Sequence, residues 1–371
     1  MMNKIGASGA HPASLHPSSL GAALRAASAD RVPSLLCGAA LILCLKVTQA
    51  VGGESLIVES EITAPGPHGA LAGTMTLPDA GLADEMPVLL IVPGSGPTDR
   101  DGNSPLGVTA APYALLAQAL AERGIPSVRI DKRGMFGSAE AVSDPNDVTI
   151  AGYGDDLLAW AENIRDRLPG AGGPRCVIPL GHSEGGLVAL AAMDRLAASC
   201  GLVLVGAPGR PIADVMRQQF RDNPANAPLA KAAEAAFRSL ERGERMDAST
   251  LPAALQPIFS LQVQGFLIDV FSYDPARLIA DLQVPVLVVQ GGRDVQVPED
   301  DARTLADAAP QAELAILPEV NHVLKTVPSD GLPENIATYS DPDLPIAPEV
   351  VEAVADFVTR ITPSAGPDGS H

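Results

Sequence analysis

The chain has 371 residues, of which 46% are hydrophobic, 19% charged and 3% aromatic, enough apolar material for a large core and too much for a mainly disordered chain. Lys and Arg number 25 against 44 Asp and Glu, and the resulting net charge of −19 is opposite in sign to what a nucleic-acid partner requires. The length exceeds an ordinary domain of about 100–200 residues and suits one large α/β domain carrying an insertion.

Residues 1–50 read as a leader. Residues 32–45 are apolar apart from Pro33, Ser34 and Gly38, follow Arg31, and run into Lys46-Val-Thr48-Gln-Ala50. A positive flank, an apolar stretch of about 7–15 residues and small residues before a cut make up a secretory signal peptide, so cleavage is expected near Ala50 and the product in the periplasm or outside the cell. The stretch is shorter than the roughly 20 residues that cross a bilayer, and no stable span is expected once it is removed. An uncleaved anchor or a disordered leader is the alternative. Cys37 and Cys44 would leave with the leader, while Cys176 and Cys200 remain, each at the start of an apolar run. If those runs are neighbouring parallel strands, both thiols lie at one sheet end and can form a disulfide, as an oxidising compartment permits; two buried free thiols are the other reading.

Two alternating segments, residues 55–62 and 70–77, flank Pro65, Gly66, Pro67 and Gly69 and predict an antiparallel hairpin. The period then changes. Apolar runs bounded by turn residues occupy 88–92, 127–130, 177–180, 202–205, 284–289 and 314–317, and helical patterns occupy 113–123, 153–168, 185–198, 302–308 and 348–361. Alternation of strand and helix predicts a doubly wound α/β fold, a mostly parallel twisted sheet with helices on both faces. Residues 209–277 break the rhythm, with helical stretches such as 229–245 and five of the seven Phe: Phe220, Phe237, Phe259, Phe266 and Phe271. A helical cap inserted between core segments 51–208 and 278–362 is expected, its rings offering an apolar pocket wall; packing of the inserted helices on themselves is the alternative. Residues 363–371 read as a polar, disordered tail.

Gly181-His182-Ser183-Glu184-Gly185 matches the pattern G-x-S-x-G, which chance alone would produce roughly 0.2 times in such a chain. Its context is more telling than the pattern. The motif directly follows the predicted strand at 177–180 and opens a helix of small residues, as a strand-turn-helix nucleophile elbow requires. Gly181 and Gly185 would give the tight turn room, and Ser183 would stand clear of the carboxyl edge of the sheet.

A serine hydroxyl attacks only if a base takes its proton, and that base is commonly a histidine held by a carboxylate. Of six His, His322 alone lies in a loop after a predicted strand at that edge. The acid should fall between Ser183 and His322 in chain order. Asp294, just beyond the strand at 284–289, leads; Asp300 and Asp301, expected to open a helix, and Glu319 compete. Donors for an oxyanion are expected from the backbone N–H groups of Ser95, in Pro93-Gly94-Ser95-Gly96-Pro97, and Glu184, with the Ser95 hydroxyl as an alternative.

With these residues in hand, the chain resembles the α/β-hydrolase superfamily over roughly residues 54–362. Asp131-Lys132-Arg133-Gly134-Met135-Phe136-Gly137-Ser138 is similar to that family's D-x-R-G-x-G-x-S turn, with Met135-Phe136 bulkier than usual, and residues 93–103 are similar to a loop of a bacterial serine esterase subgroup, prolyl-oligopeptidase-like or dienelactone-hydrolase-like. The acidic insert at 325–348 departs from the pattern. Together the motifs imply a serine hydrolase acting on small-molecule carboxylic esters of short to medium acyl chain. Amide or peptide cleavage is the second reading, ahead of thioesterase or acyltransferase action and of a non-catalytic binder of hydrophobic ligands. No metal-ligand spacing and no phosphate- or dinucleotide-binding motif is present, so no metal or cofactor is expected.

Overall fold

The computed structural model describes residues 57–83, 86–170 and 173–362. The leader with its cut near Ala50 and the tail at 363–371 lie outside them.

Strands β1 (Ile57–Pro65) and β2 (Ala70–Pro78) form the expected antiparallel hairpin, with Ile57 opposite Pro78 and Pro65 opposite Ala70. They join β3 (Val88–Val92), β4 (Ser127–Ile130), β5 (Val177–His182), β6 (Leu202–Val205), β7 (Val286–Gly291) and β8 (Glu313–Leu317) in one eight-stranded sheet of order β1-β2-β4-β3-β5-β6-β7-β8. From β4 through β8 every pairing is parallel. This is the α/β-hydrolase fold.

Both faces of the sheet are covered, which is why its central strands β3 and β6 are apolar throughout rather than alternating. Leu90, Val128, Val177, Leu204 and Val288 pack under α2 (Ile150–Arg167) and α3 (Glu184–Ala192), with Trp160 fully buried among them. Leu89, Ile91, Leu180, Val203 and Val289 face the other way, under α1 (Pro112–Ala121) and the C-terminal helix, Pro348–Ile361. Thr149 caps α2 by accepting from Gly152 N–H at 2.9 Å, and Arg165 and Arg167 sit at the negative end of its dipole.

Among the described residues no strand lies between β6 and β7. That interval holds α4 (Ile212–Asp222), α5 (Ala230–Glu241), α6 (Leu261–Val270) and α7 (Pro275–Ala280). The insertion is tied to the core where Ile150 N–H donates to Asp269 Oδ2 at 2.6 Å and where Phe266 meets Tyr153 edge-on. Phe237, Phe259 and Phe271, expected to wall a pocket, instead pack on one another with 3%, 1% and 7% exposure, and ring centroids 5.2 Å (Phe237–Phe259) and 6.0 Å (Phe237–Phe271) apart. Helices lying on a sheet need an apolar core of their own, and these rings supply it. Phe220 and Phe266 are half-buried against the same cluster.

Cys176 and Cys200 precede the adjacent parallel strands β5 and β6. Their Cα atoms are 5.8 Å apart and their sulfurs are paired as a disulfide.

Candidate active site

The parallel register sets the site. Val92 pairs with Gly181, His182 with Val205, Val205 with Val289 and Gly291 with Leu317, so the carboxyl ends of β3, β5, β6, β7 and β8 form one edge. The loops that leave this edge carry Ser95, Ser183, Asp294 and His322.

Ser183 has φ 55° and ψ −126°, a conformation that L-residues avoid and that only the surrounding packing can hold. A Cβ on Gly181 would stand 2.4 Å from Gly185 O, and one on Gly185 only 2.3 Å from Val92 O. Neither glycine can be replaced without moving backbone, which explains their places in the motif. Ser183 N–H donates to Val205 O at 3.0 Å. A Cβ on the next residue, Gly206, would lie 3.4 Å from His322 Nδ1, so Ser183 and His322 flank the same short segment.

His322 Nδ1 lies 2.7 Å from Asp294 Oδ2, with both side chains buried. Asp294 Oδ1 accepts from the N–H groups of Gln296 at 2.8 Å and Val297 at 2.9 Å, and Gln290 Nε2 donates to Oδ2 at 3.3 Å. A carboxylate facing Nδ1 and bound by these donors takes the Nδ1–H of the imidazole, which leaves His322 Nε2 as an acceptor. The competing acids are placed elsewhere. Asp301 is buried against Arg210, accepting from Nε at 3.0 Å and Nη2 at 2.8 Å, and also accepts from Gly209 N–H; Asp300 opens the helix Glu299–Ala308, and Glu319 is exposed. Among the described residues neither Ser183 Oγ nor His322 Nε2 has a hydrogen-bond partner. In free enzymes this contact is often long and tightens around substrate.

The backbone N–H groups of Ser95 and Glu184 likewise have no acceptor among the described residues. The loop bearing Ser95 is seated directly on the elbow, since a Cβ on Gly94 would stand 3.0 Å from Ser183 Cβ.

An α/β sheet with a strained serine after its central strand, a histidine–carboxylate pair after its last two, and unused backbone donors beside the serine is matched by the model of the alpha/beta hydrolase family over residues 88–333. The chain belongs to the α/β hydrolase family. Among curated relatives, the chain is 28% identical over 277 residues to esterase EstD of Thermotoga maritima, a match that takes in 72% of the chain and 60% of the relative's length. Among solved structures, it superposes on Est1E of Butyrivibrio proteoclasticus with a TM-score of 0.50 at 15% identity, over 81% of this chain and 98% of that one. A second Est1E structure, with ferulic acid bound, gives the same TM-score at 17% identity, over 81% of this chain and 98% of that one.

Several residues of the candidate site carry no signal in the sequence. His182, set aside there as part of the elbow, is buried, and burial together with the nearby His322 pushes its pKa down to about 3. Its Nε2 lies 2.9 Å from His322 O, a group that can only accept, so Nε2 carries the proton and Nδ1 accepts from Tyr113 OH at 2.8 Å. Tyr113 OH in turn accepts from Gly94 N–H at 3.2 Å. Lys132 is buried beside Glu184, its Nζ 3.1 Å from Oε1 and 2.6 Å from Gly94 O. The acidic insert holds the helix Leu332–Ala337, from which Asn335 reaches both site loops: its Nδ2 donates to Arg293 O at 2.7 Å, and its Oδ1 accepts from Asn321 Nδ2 at 3.1 Å. A cavity of about 200 Å³ beside Asp294 is lined by Arg210, Gln218, Gln219, Asp222 and Gln296 rather than by the phenylalanines. The polar face of α4 gave no sequence signal, because a run of glutamines reads as an ordinary solvated surface.

Proposed function

We propose that the chain is a serine hydrolase that cleaves small carboxylic esters of short to medium acyl chain. Ser183 Oγ attacks the acyl carbonyl while His322 Nε2 takes its proton; Asp294 holds the imidazole and stabilises the imidazolium. The N–H groups of Ser95 and Glu184 receive the oxyanion. His322 then gives the proton to the departing alkoxide, which leaves as the alcohol, and water repeats the attack on the acyl-enzyme with the same base.

The observation that carries this reading is the bond of 2.7 Å between His322 and Asp294, at the sheet edge where Ser183 occupies its strained turn. The likeness to an esterase, EstD, supports ester over amide substrates. The test is a panel of p-nitrophenyl esters from acetate to decanoate set beside aminoacyl anilides. Turnover falling with acyl length and exceeding anilide turnover is expected; faster anilide cleavage would overturn the choice. Export belongs to the same reading, on the strength of the leader pattern at 1–50, and is tested by N-terminal sequencing of protein recovered from the periplasm: a start shortly after Ala50 is expected, and an intact leader would refute it.

A further inference from the structure

The buried ion pair Lys132–Glu184 is not needed for proton transfer, yet it joins the carbonyl of the Gly94–Ser95 peptide to the side chain of Glu184, the two places whose N–H groups the proposed function assigns to the oxyanion. Both side chains are almost fully buried, 3% and 5% exposed. A lysine in such a place is retained against a substantial desolvation cost, which apolar residues of the same size would avoid. Its contacts show what it does. Lys132 Nζ donates to Gly94 O at 2.6 Å and to Glu184 Oε1 at 3.1 Å, and it stands 5.3 Å from the centroid of the Tyr153 ring.

Gly94 C=O and Ser95 N–H belong to a single peptide unit, planar and trans, in which the two groups point in opposite directions. Drawing the carbonyl toward Lys132 therefore aims the amide of Ser95 away from Lys132. The N–H of Gly94, in the preceding peptide unit, is consumed by Tyr113 OH at 3.2 Å, so the chain is held on both sides of Gly94 Cα, and the Ser95 N–H has no partner among the described residues. Across the site the same ammonium holds the side chain of Glu184, whose own backbone N–H is the first of α3 and also lacks an acceptor among the described residues.

From this arrangement we infer that Lys132 is a positioning residue for the oxyanion site, one buried ammonium that fixes the peptide of Ser95 and the residue Glu184 in mutual register. The inference rests on the serine-hydrolase reading. Donors aimed before the reaction stabilise the transition state without reorganisation, so losing the clamp should slow the chemical step while leaving substrate binding almost unchanged.

The test is steady-state kinetics on three purified proteins: wild type, Lys132→Met, and the double variant Lys132→Met/Glu184→Met. The double variant leaves no buried charge unpaired and keeps the volume, so it separates loss of the clamp from misfolding. The expected result, in the double variant, is a kcat lowered by about 30–100-fold with KM within about threefold. Affinity for a trifluoromethyl ketone, whose serine adduct places an oxyanion between the same two amides, should fall by the same factor, at an unchanged melting temperature. A double variant with wild-type kcat and ketone affinity would overturn the inference while leaving the hydrolase intact. So would a loss expressed mainly in KM. Wild-type protein without turnover dependent on Ser183 would overturn the proposed function along with the inference.

Discussion

His182, the residue before the elbow serine, donates from Nε2 to the backbone carbonyl of His322 at 2.9 Å, and the two rings lie 4.6 Å apart. The elbow and the loop that carries His322 are thus joined directly, and it is the second bond of the ring, from Tyr113 OH to Nδ1, that needs a neutral His182. Through Tyr113 the chain of bonds continues to Gly94, so three loops at the sheet edge share one network.

That network has a pH signature. In the unfolded chain His182 titrates near its ordinary value of about 6.5, whereas burial and the neighbouring His322 hold it at about 3 in the folded protein. Below the unfolded value the unfolded chain binds a proton that the native state refuses, so stability is complete above about pH 6.5 and drains away as the pH falls toward 3. Urea unfolding of wild type and His182→Gln should show the wild-type advantage shrinking by roughly 3 kcal/mol between pH 7 and pH 4. Stability curves that stay parallel over this range would contradict a neutral, buried His182.

Asp294 should matter through orientation rather than through binding. Asn at this position presents an amide where His322 Nδ1–H needs an acceptor, and it disturbs the bonds from Gln296 and Val297. For Asp294→Asn, kcat is expected to fall by about 10³–10⁴-fold with KM changed only a few-fold. Glu319→Gln, on the loop before the base and exposed, should keep wild-type kinetics; the reverse pattern would reassign the acid.

The elbow should not tolerate a single methyl group at Gly185. With Val92 O only 2.3 Å from the position of a Cβ, Gly185→Ala must displace β3 or α3. A loss of stability of about 3 kcal/mol or more, or failure to fold, is expected from denaturant melts. A variant as stable as wild type would show that the turn is looser than its packing implies.

Cys176 and Cys200 close a loop spanning 24 positions. Chain entropy alone assigns such a crosslink about 3 kcal/mol. Titration of the unfolded, unreduced protein, after removal of the leader, should detect no free thiol, and Cys200→Ser should lower the melting temperature under oxidising conditions but not in reductant. Two titratable thiols would place the pair among ordinary buried cysteines.

What could be read from the sequence follows from the range of the interactions involved. The strands, the hairpin and the elbow announce themselves through local period and turn chemistry, and Ser183, Asp294 and His322 could be placed at one sheet edge because each closely follows an apolar run. The partners of Lys132 could not: Gly94 is 38 positions away and Glu184 is 52, and nothing short of the register between β3, β4 and β5 brings them together. Tyr113 looked like the start of a helix and His182 like filler in the motif for the same reason. The five phenylalanines show the opposite failure. Their clustering was visible, but composition does not distinguish rings that wall a pocket from rings such as Phe237 and Phe259 that pack on each other inside the insertion. The insert at 325–348 looked merely acidic, whereas Asn321 and Asn335, which join it to the base loop, are short polar residues common in any loop.

The most direct test of the account is covalent labelling with a fluorophosphonate, read by mass spectrometry alongside ester turnover. One adduct is expected, on the peptide containing Ser183, and Ser183→Ala should abolish it and lower turnover by about three orders of magnitude or more. An adduct on another residue, or a Ser183→Ala protein that hydrolyses esters as fast as wild type, would contradict it.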